Sequence, residues 1–391
     1  MGVKRTCLTV VILALAALSA CTPAVEQEAI ETPTNPPANT EHSRDEVLLP
    51  HWLYYLSDLP DGVFQVWRLD PTVSTPQQVT DEAEGVSGFT VNRGDGRVAF
   101  VSNNQMFLIN SDGSGRTLLV DGGAVDEQSS EYLYSGKISG LAWTDNGRIL
   151  AYGLDGIHLY FIDEQSDFHV LKNQVEEGDS GTLFPISLYL PFSWSPDSES
   201  LLVAIDFFEG GTLGVYNLEA NRLVRLGGEG IVCCQPAWSP DSSAVLVASP
   251  MFGISPAGLW RYDAQTGVET ELIHHTSEDG TLNFVDWPMQ LPDGTLRYFF
   301  NNMAAFPADE ASLLMVSSDE DGISSRQLIR AEYWNNFEVL WAEDGSLVVA
   351  VQPATGVPPS WPRTGPIVII PASSEPPVPL PANGYSLHWG P

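Results

Sequence analysis

Beyond residue 48 the chain alternates short apolar stretches with tight polar turns. Phe192-Ser193-Trp194 is followed by Ser195-Pro196-Asp197, then by Leu201-Leu202-Val203-Ala204, Leu213 to Leu218 and Arg222 to Leu226. That order predicts a first strand, a turn in which Pro presets φ, and three further strands. The next stretch repeats it, with Ala237-Trp238-Ser239-Pro240-Asp241, Val245 to Ala248, Leu259 to Tyr262 and Glu269 to Ile273. Elsewhere the first turn carries Asp95-Gly96, Asn146-Gly147, Asp293-Gly294 or Asp344-Gly345, which supply the positive φ of a hairpin. No segment holds a helical period long enough to make a helix.

Aligning the first strands by the residue that ends them gives Trp143, Trp194, Trp238, Trp287, Trp341 and Trp389, with Val91 in the same place in the earliest copy. Successive members lie 44 to 54 residues apart. A strand-built period of about 50 residues predicts propeller blades of four strands each. The Trp-Ser-Pro-Asp turns resemble the WD40-like (PD40) repeats of TolB-type β-propellers, most clearly around Trp194 and Trp238. Ser198 and Ser242 stand where that family usually has Gly, so those turns take a left-handed residue at a cost or adopt another geometry. Tyr385 to Trp389 is a first strand with nothing after it, while Trp52 to Ser57, Val63 to Asp70 and Gln77 to Thr80 are three strands lacking one. The expected fold is an all-β, seven-bladed β-propeller over residues 49–391, closed by the C-terminal strand joining the N-terminal blade.

The N-terminal segment reads as an address. Lys4 and Arg5 precede an apolar run from Cys7 to Ala17, and Leu18-Ser19-Ala20-Cys21 follows. This is the charged, apolar and small-residue order of a secretory signal. The box resembles the bacterial lipoprotein signal, which implies cleavage after residue 20, acylation of Cys21 and an exported chain held in the membrane by lipid. Residues 21–48 carry Pro23, Pro33, Pro36 and Pro37 among Thr, Asn and Glu, a composition expected to form an extended tether.

Charge narrows the partners. With 17 basic and 50 acidic residues the formal net charge is −33, which opposes nucleic acid. In a propeller, the turns after the first and third strands share one end of the blades. Here those are short Asp, Asn, Gly and Ser reversals. Loops after the second strand and links between blades share the other end, and they carry the aromatics Phe207, Phe208, Phe252, Phe306, Tyr333, Trp334 and Trp361, with Glu176, Glu177, Asp206 and Glu278 among them. Aromatics on loops above a rigid scaffold predict a recognition face. Resemblance to TolB-type repeats implies an envelope protein as partner, and the acidic and aromatic mixture also suits a glycan or a basic peptide.

Cys233 and Cys234 either form a vicinal disulfide or pack as two thiols. His274-His275 has no third histidine near it in sequence, so no metal and no cofactor is expected. Among the five residues before each repeat position, the only acids and imidazoles are Asp286, Glu338 and His388, and no Gly-x-Ser-x-Gly elbow occurs. The sequence therefore favours a monomeric, membrane-anchored binding or scaffold protein. A propeller enzyme acting on a carbohydrate or lactone, and a purely structural spacer, are the alternatives.

Overall fold

A computed structural model describes residues 48–125, 136–178, 181, 183–207, 210–230, 235–249, 256–304, 312–354 and 362–391. These residues form strands and turns with no helix, and every strand pairing is antiparallel. The repeat predicted around Trp194 is observed as Leu183–Trp194, Ser200–Phe207, Gly210–Asn217 and Arg222–Gly230, in that order across one sheet. The copy around Trp238 is Ala237–Trp238, Ala244–Ser249, Gly258–Asp263 and Glu269–Ile273. Four-stranded sheets likewise begin at Gly88–Val91, Ser139–Trp143 and Leu282–Gln290. A seven-stranded sheet starts at Glu338–Trp341 and runs through Val378–Trp389 to Leu53–Ser57, Gln65–Leu69 and Gln77–Gln78. Val378–Trp389 is long enough to serve both halves of that sheet. Its first part pairs with Gly365–Pro371, and its end pairs with the N-terminal strand, Leu53 opposite Trp389.

Alternation along each strand places apolar side chains on both sheet faces, and they pack between successive sheets. Ala142, Ala151 and Leu159 of one sheet meet Tyr189, Trp194, Leu201 and Val203 of the next. Leu202 and Val215 then meet Val245, and Leu246 and Leu259 meet Val285 and Tyr298. Each fully buried side chain of this kind contributes about 1.5–3 kcal/mol.

The repeat tryptophans do more than fill space. Trp194 Nε1 donates to the Ala142 carbonyl at 3.1 Å, Trp238 to Ser193 at 3.4 Å, Trp341 to Trp287 at 2.9 Å and Trp389 to Trp341 at 2.7 Å. In each case the acceptor lies at or near the end of the preceding first strand, which belongs to the neighbouring sheet for Trp194, Trp238 and Trp341 and is the edge strand of the same seven-stranded sheet for Trp389. The indole thus buries a large ring between sheets and satisfies a backbone carbonyl across the gap. At these four positions the indole makes a bond that Phe could not, whereas the Trp143 indole nitrogen is buried with no hydrogen-bond partner.

The turns are held by their own side chains. Asp197 accepts the Ser195 hydroxyl at 2.5 Å and the Glu199 amide at 3.0 Å, while Ser195 Oγ accepts the Ser200 amide. Ser239, Asp241 and Ser243 repeat the arrangement. Gly96, Gly147, Gly294 and Gly345 all take positive φ, as their turns require. Ser198 and Ser242 adopt the same left-handed conformation at φ 62°, settling the choice left open by their sequence. Ser242 has a compensation, because its hydroxyl accepts the Asp197 amide of the neighbouring turn at 3.1 Å.

One segment differs from expectation. Glu176 and Glu177 are expected among the loops and links, yet Gln174–Glu177 pairs with the start of Leu183–Trp194, extending that sheet by a fifth strand. Tyr189 lies inside the long strand and is buried.

Candidate functional site

First strands line a cavity of about 730 Å³, with Phe89, Ile138, Phe192, Trp194, Leu340 and His388 on its wall. Each first strand runs from the link end of its sheet to the turn end. Lys137, just before Ser139–Trp143, therefore stands at the link end of the cavity, and Arg93, just after Gly88–Val91, at the turn end. Arg93 pairs with Glu343, tying a turn of its own sheet to the turn after Glu338–Trp341.

Two of the three acid–base residues singled out in the sequence line this cavity. Glu338 reaches it from Glu338–Trp341, but its carboxylate accepts the Ser386 amide through Oε2 and the Leu387 amide through Oε1, both at 2.7 Å. Ser386 has φ 57°, and the pairing of the C-terminal strand with Leu53–Ser57 shifts register there. The bulge turns two successive amides toward one carboxylate. Burial pushes the Glu338 carboxyl above its ordinary range, and the Leu387 and Ser386 amides pull it back down. His388 touches the cavity yet lies deep among protein atoms, and burial lowers it to about 4. Its ring is neutral at physiological pH and meets the edge of Phe89 at 4.7 Å. Asp286 is buried outside the cavity lining, and its carboxylate accepts the amide of Trp287, which has φ 46°.

Of the aromatics expected to form a recognition face, Tyr333 and Trp334 are described with their side chains, at the end of Gln327–Trp334. Adjacent strand residues point to opposite faces, and the two separate accordingly. Tyr333 is 59% exposed. Trp334 packs against the Phe284, Phe299 and Leu313 cluster, with the Arg330 guanidinium 5.9 Å from its ring. Arg330 is itself buried and donates to the carbonyls of Pro371, Ser373 and Glu375 in the next sheet. Phe207 ends Ser200–Phe207, where its backbone pairs with Gly210. Cys21, Phe208, Cys233, Cys234, Phe252, Phe306 and Trp361 lie outside the described residues.

The extra hairpin brings exposed apolar side chains to the link end, two of which, Val175 and Ile186, sequence reading passed over. Phe184 and Ile186 are 39% and 42% exposed at the start of the long strand, and Val175 is exposed on its partner. Their signal lay in apolar and acidic residues alternating within a segment whose Gly and Glu content suggested a loop.

No family model matches the chain, and no curated protein matches it. Solved structures do. A prolyl endopeptidase structure superposes with a TM-score of 0.56 at 12% identity, over 87% of this chain and 49% of that one. Oligogalacturonate lyase from Vibrio parahaemolyticus gives 0.52 at 12% identity, over 84% and 85% of the two chains. The chain is a β-propeller. TolB from Acinetobacter baumannii is also among the similar structures, with a TM-score of 0.44 at 14% identity over 86% of this chain and 81% of that one. At such identities the likeness concerns the propeller fold and not its chemistry.

Proposed function

We propose that this protein is an exported, lipid-anchored β-propeller of seven blades that binds a partner through the link end of its blades. The address in residues 1–21, with Cys21 as the acylated residue, supports the anchoring. Pairing of Val378–Trp389 with Leu53–Ser57 supports a ring closed between its two termini. Such closure leaves no unpaired sheet edge between first and last blades.

The observation that carries the binding reading is the contrast between the two ends. At the turn end, Asp, Asn and Ser side chains are occupied by the reversals they stabilise. At the link end, Tyr333, Phe184 and Ile186 stand exposed on strands fixed by interblade packing. Aromatic and aliphatic surface on a preorganised scaffold favours a protein partner, and the net charge of −33 favours one with a basic contact surface.

The test is capture of membrane proteins by the full chain in detergent, with Tyr333→Ala combined with Phe184→Ala as the control. Loss of a stoichiometric partner with unchanged thermal unfolding is expected. Retention of that partner by the double variant refutes the assigned face. A second reading, chemistry inside the cavity, is favoured by the presence of Glu338 and His388 on its wall. It requires turnover by the purified protein that disappears in Glu338→Gln while the fold persists.

A further inference from the structure

Outside the cavity, a set of donors gathers where Glu269–Ile273 leaves its sheet. Glu271, His274 and His275 each offer a ligand atom, and those atoms all lie within 4.8 Å of one another. We propose that these three residues form a site for a borderline divalent transition ion, Zn²⁺ or Cu²⁺. Two imidazoles with one carboxylate suit such ions, whereas Ca²⁺ and Mg²⁺ take oxygen ligands.

The backbone holds the pair in place. Asn283, itself buried, donates its amide to the His275 carbonyl at 2.9 Å and its Nδ2 to the His274 carbonyl at 2.8 Å. Its Oδ1 is occupied by Asn302 Nδ2 and the Ser277 hydroxyl. Glu271 is set by the ladder, opposite Trp260. The two imidazole centroids are 4.1 Å apart at an interplanar angle of 37°, which brings both rings to one side of the chain.

The surroundings of His274 also fit a ligand. Its Nδ1 lies 2.9 Å from the Thr276 carbonyl oxygen and 3.1 Å from the Thr276 amide nitrogen. In the tautomer that donates Nδ1–H to the carbonyl, Nε2 keeps its lone pair for a metal, the arrangement that usually orients a metal-binding histidine. All three donors are exposed, so water completes the coordination shell. The formal charge of −33 raises the local concentration of cations around the protein. A third donor was invisible to a search for another histidine because it is a carboxylate, three residues before His274.

The experiment is calorimetric titration of the untagged full-length protein in detergent with Zn²⁺, paired with Cu²⁺ electron paramagnetic resonance. One Zn²⁺ per chain is expected. His274→Ala and His275→Ala should each weaken binding by about tenfold or more. Glu271→Gln should weaken it less, and Glu278→Gln should leave it unchanged. Hyperfine structure in the Cu²⁺ spectrum should report two imidazole nitrogens in the parent and one in either histidine variant. Absence of Zn²⁺ binding at millimolar concentration overturns the site. So does undiminished affinity in the His274→Ala, His275→Ala double variant, or an equal loss in Glu278→Gln, which would trace binding to the acidic surface as a whole.

Discussion

Replacing Glu338 with Ala tests whether the inner-strand carboxylate holds the C-terminal strand in place. The side chain accepts two amides at 2.7 Å, from Ser386 and Leu387. A hydrogen bond to a charged acceptor contributes about 1.5–3 kcal/mol, and a buried amide left unpaired costs about 1–3 kcal/mol. Two factors reduce the sum. The carboxylate is desolvated, as its raised pKa records, and the adjoining cavity admits water to the freed amides. A net loss of about 2–4 kcal/mol is therefore expected for Glu338→Ala. Glu338→Gln should cost less, because one amide keeps an oxygen acceptor while the other meets an NH₂ group. Equilibrium urea denaturation followed by tryptophan fluorescence measures both. The pH dependence carries an independent signature. Above the ordinary glutamate value of 4.5 and up to its raised native value, Glu338 keeps a proton in the folded state that the unfolded chain has released. Its contribution therefore declines as pH rises through that window, and this component should vanish in Glu338→Gln. Stability of Glu338→Ala within about 0.5 kcal/mol of the parent at neutral pH would refute the stapling role.

Three further perturbations probe the repeat itself. Trp389→Phe removes the donor to the Trp341 carbonyl but keeps a ring, and should cost about 1–2 kcal/mol more than Trp143→Phe, whose buried indole nitrogen makes no hydrogen bond; chemical denaturation of both gives the difference. Ser198→Gly should stabilise by up to about 1 kcal/mol by relieving left-handed strain, whereas Ser242→Gly should gain less or lose, since it also removes the acceptor for the Asp197 amide; paired denaturation midpoints decide. Hydroxyl donors from Ser239 and Ser243 hold Asp241 at about 2, and Ser, Thr and backbone donors likewise lower Asp263, Asp293, Asp321 and Asp344. Because these native values lie below the unfolded ones, their stabilisation is complete above about pH 4 and is lost as pH falls toward 2; an acid titration by circular dichroism should show it, and Asp241→Asn should reduce its steepness.

Strand order was legible because each copy carries its own instructions. The apolar runs at Leu201 to Ala204 and Val245 to Ala248 are bounded by Ser-Pro-Asp turns, and both emerge as second strands. The same local chemistry identified Asp95-Gly96 and Asp344-Gly345 as reversals. Contacts between copies were not legible. The Trp389 indole finds its acceptor 48 residues earlier, and Glu338 finds its two amides 48 and 49 residues later. Nothing in either local sequence distinguishes a catalytic carboxylate from one closing a bulge. Tyr333 and Trp334 show a similar limit, since both are aromatic and adjacent, and only the strand's alternation sends one outward and the other into the core.

The interblade contacts bear on where function can reside. Strands that line a propeller cavity are the natural place for reactive groups, because packing on both sides fixes their positions. Here Glu338 accepts two amides and the His388 ring packs against Phe89, while Asp286, outside the cavity lining, accepts the Trp287 amide. The turn end is similarly committed, with Asp95, Asn146, Asp293 and Asp344 each bonded within its own reversal. Exposed side chains of other kinds stand where chains cross from one sheet to the next. Tyr333, Phe184 and Ile186 stand there, and so do Glu271, His274 and His275. The same rigidity that occupies the inner strands gives that end fixed positions from which to present an exposed aromatic surface and a metal-binding cluster.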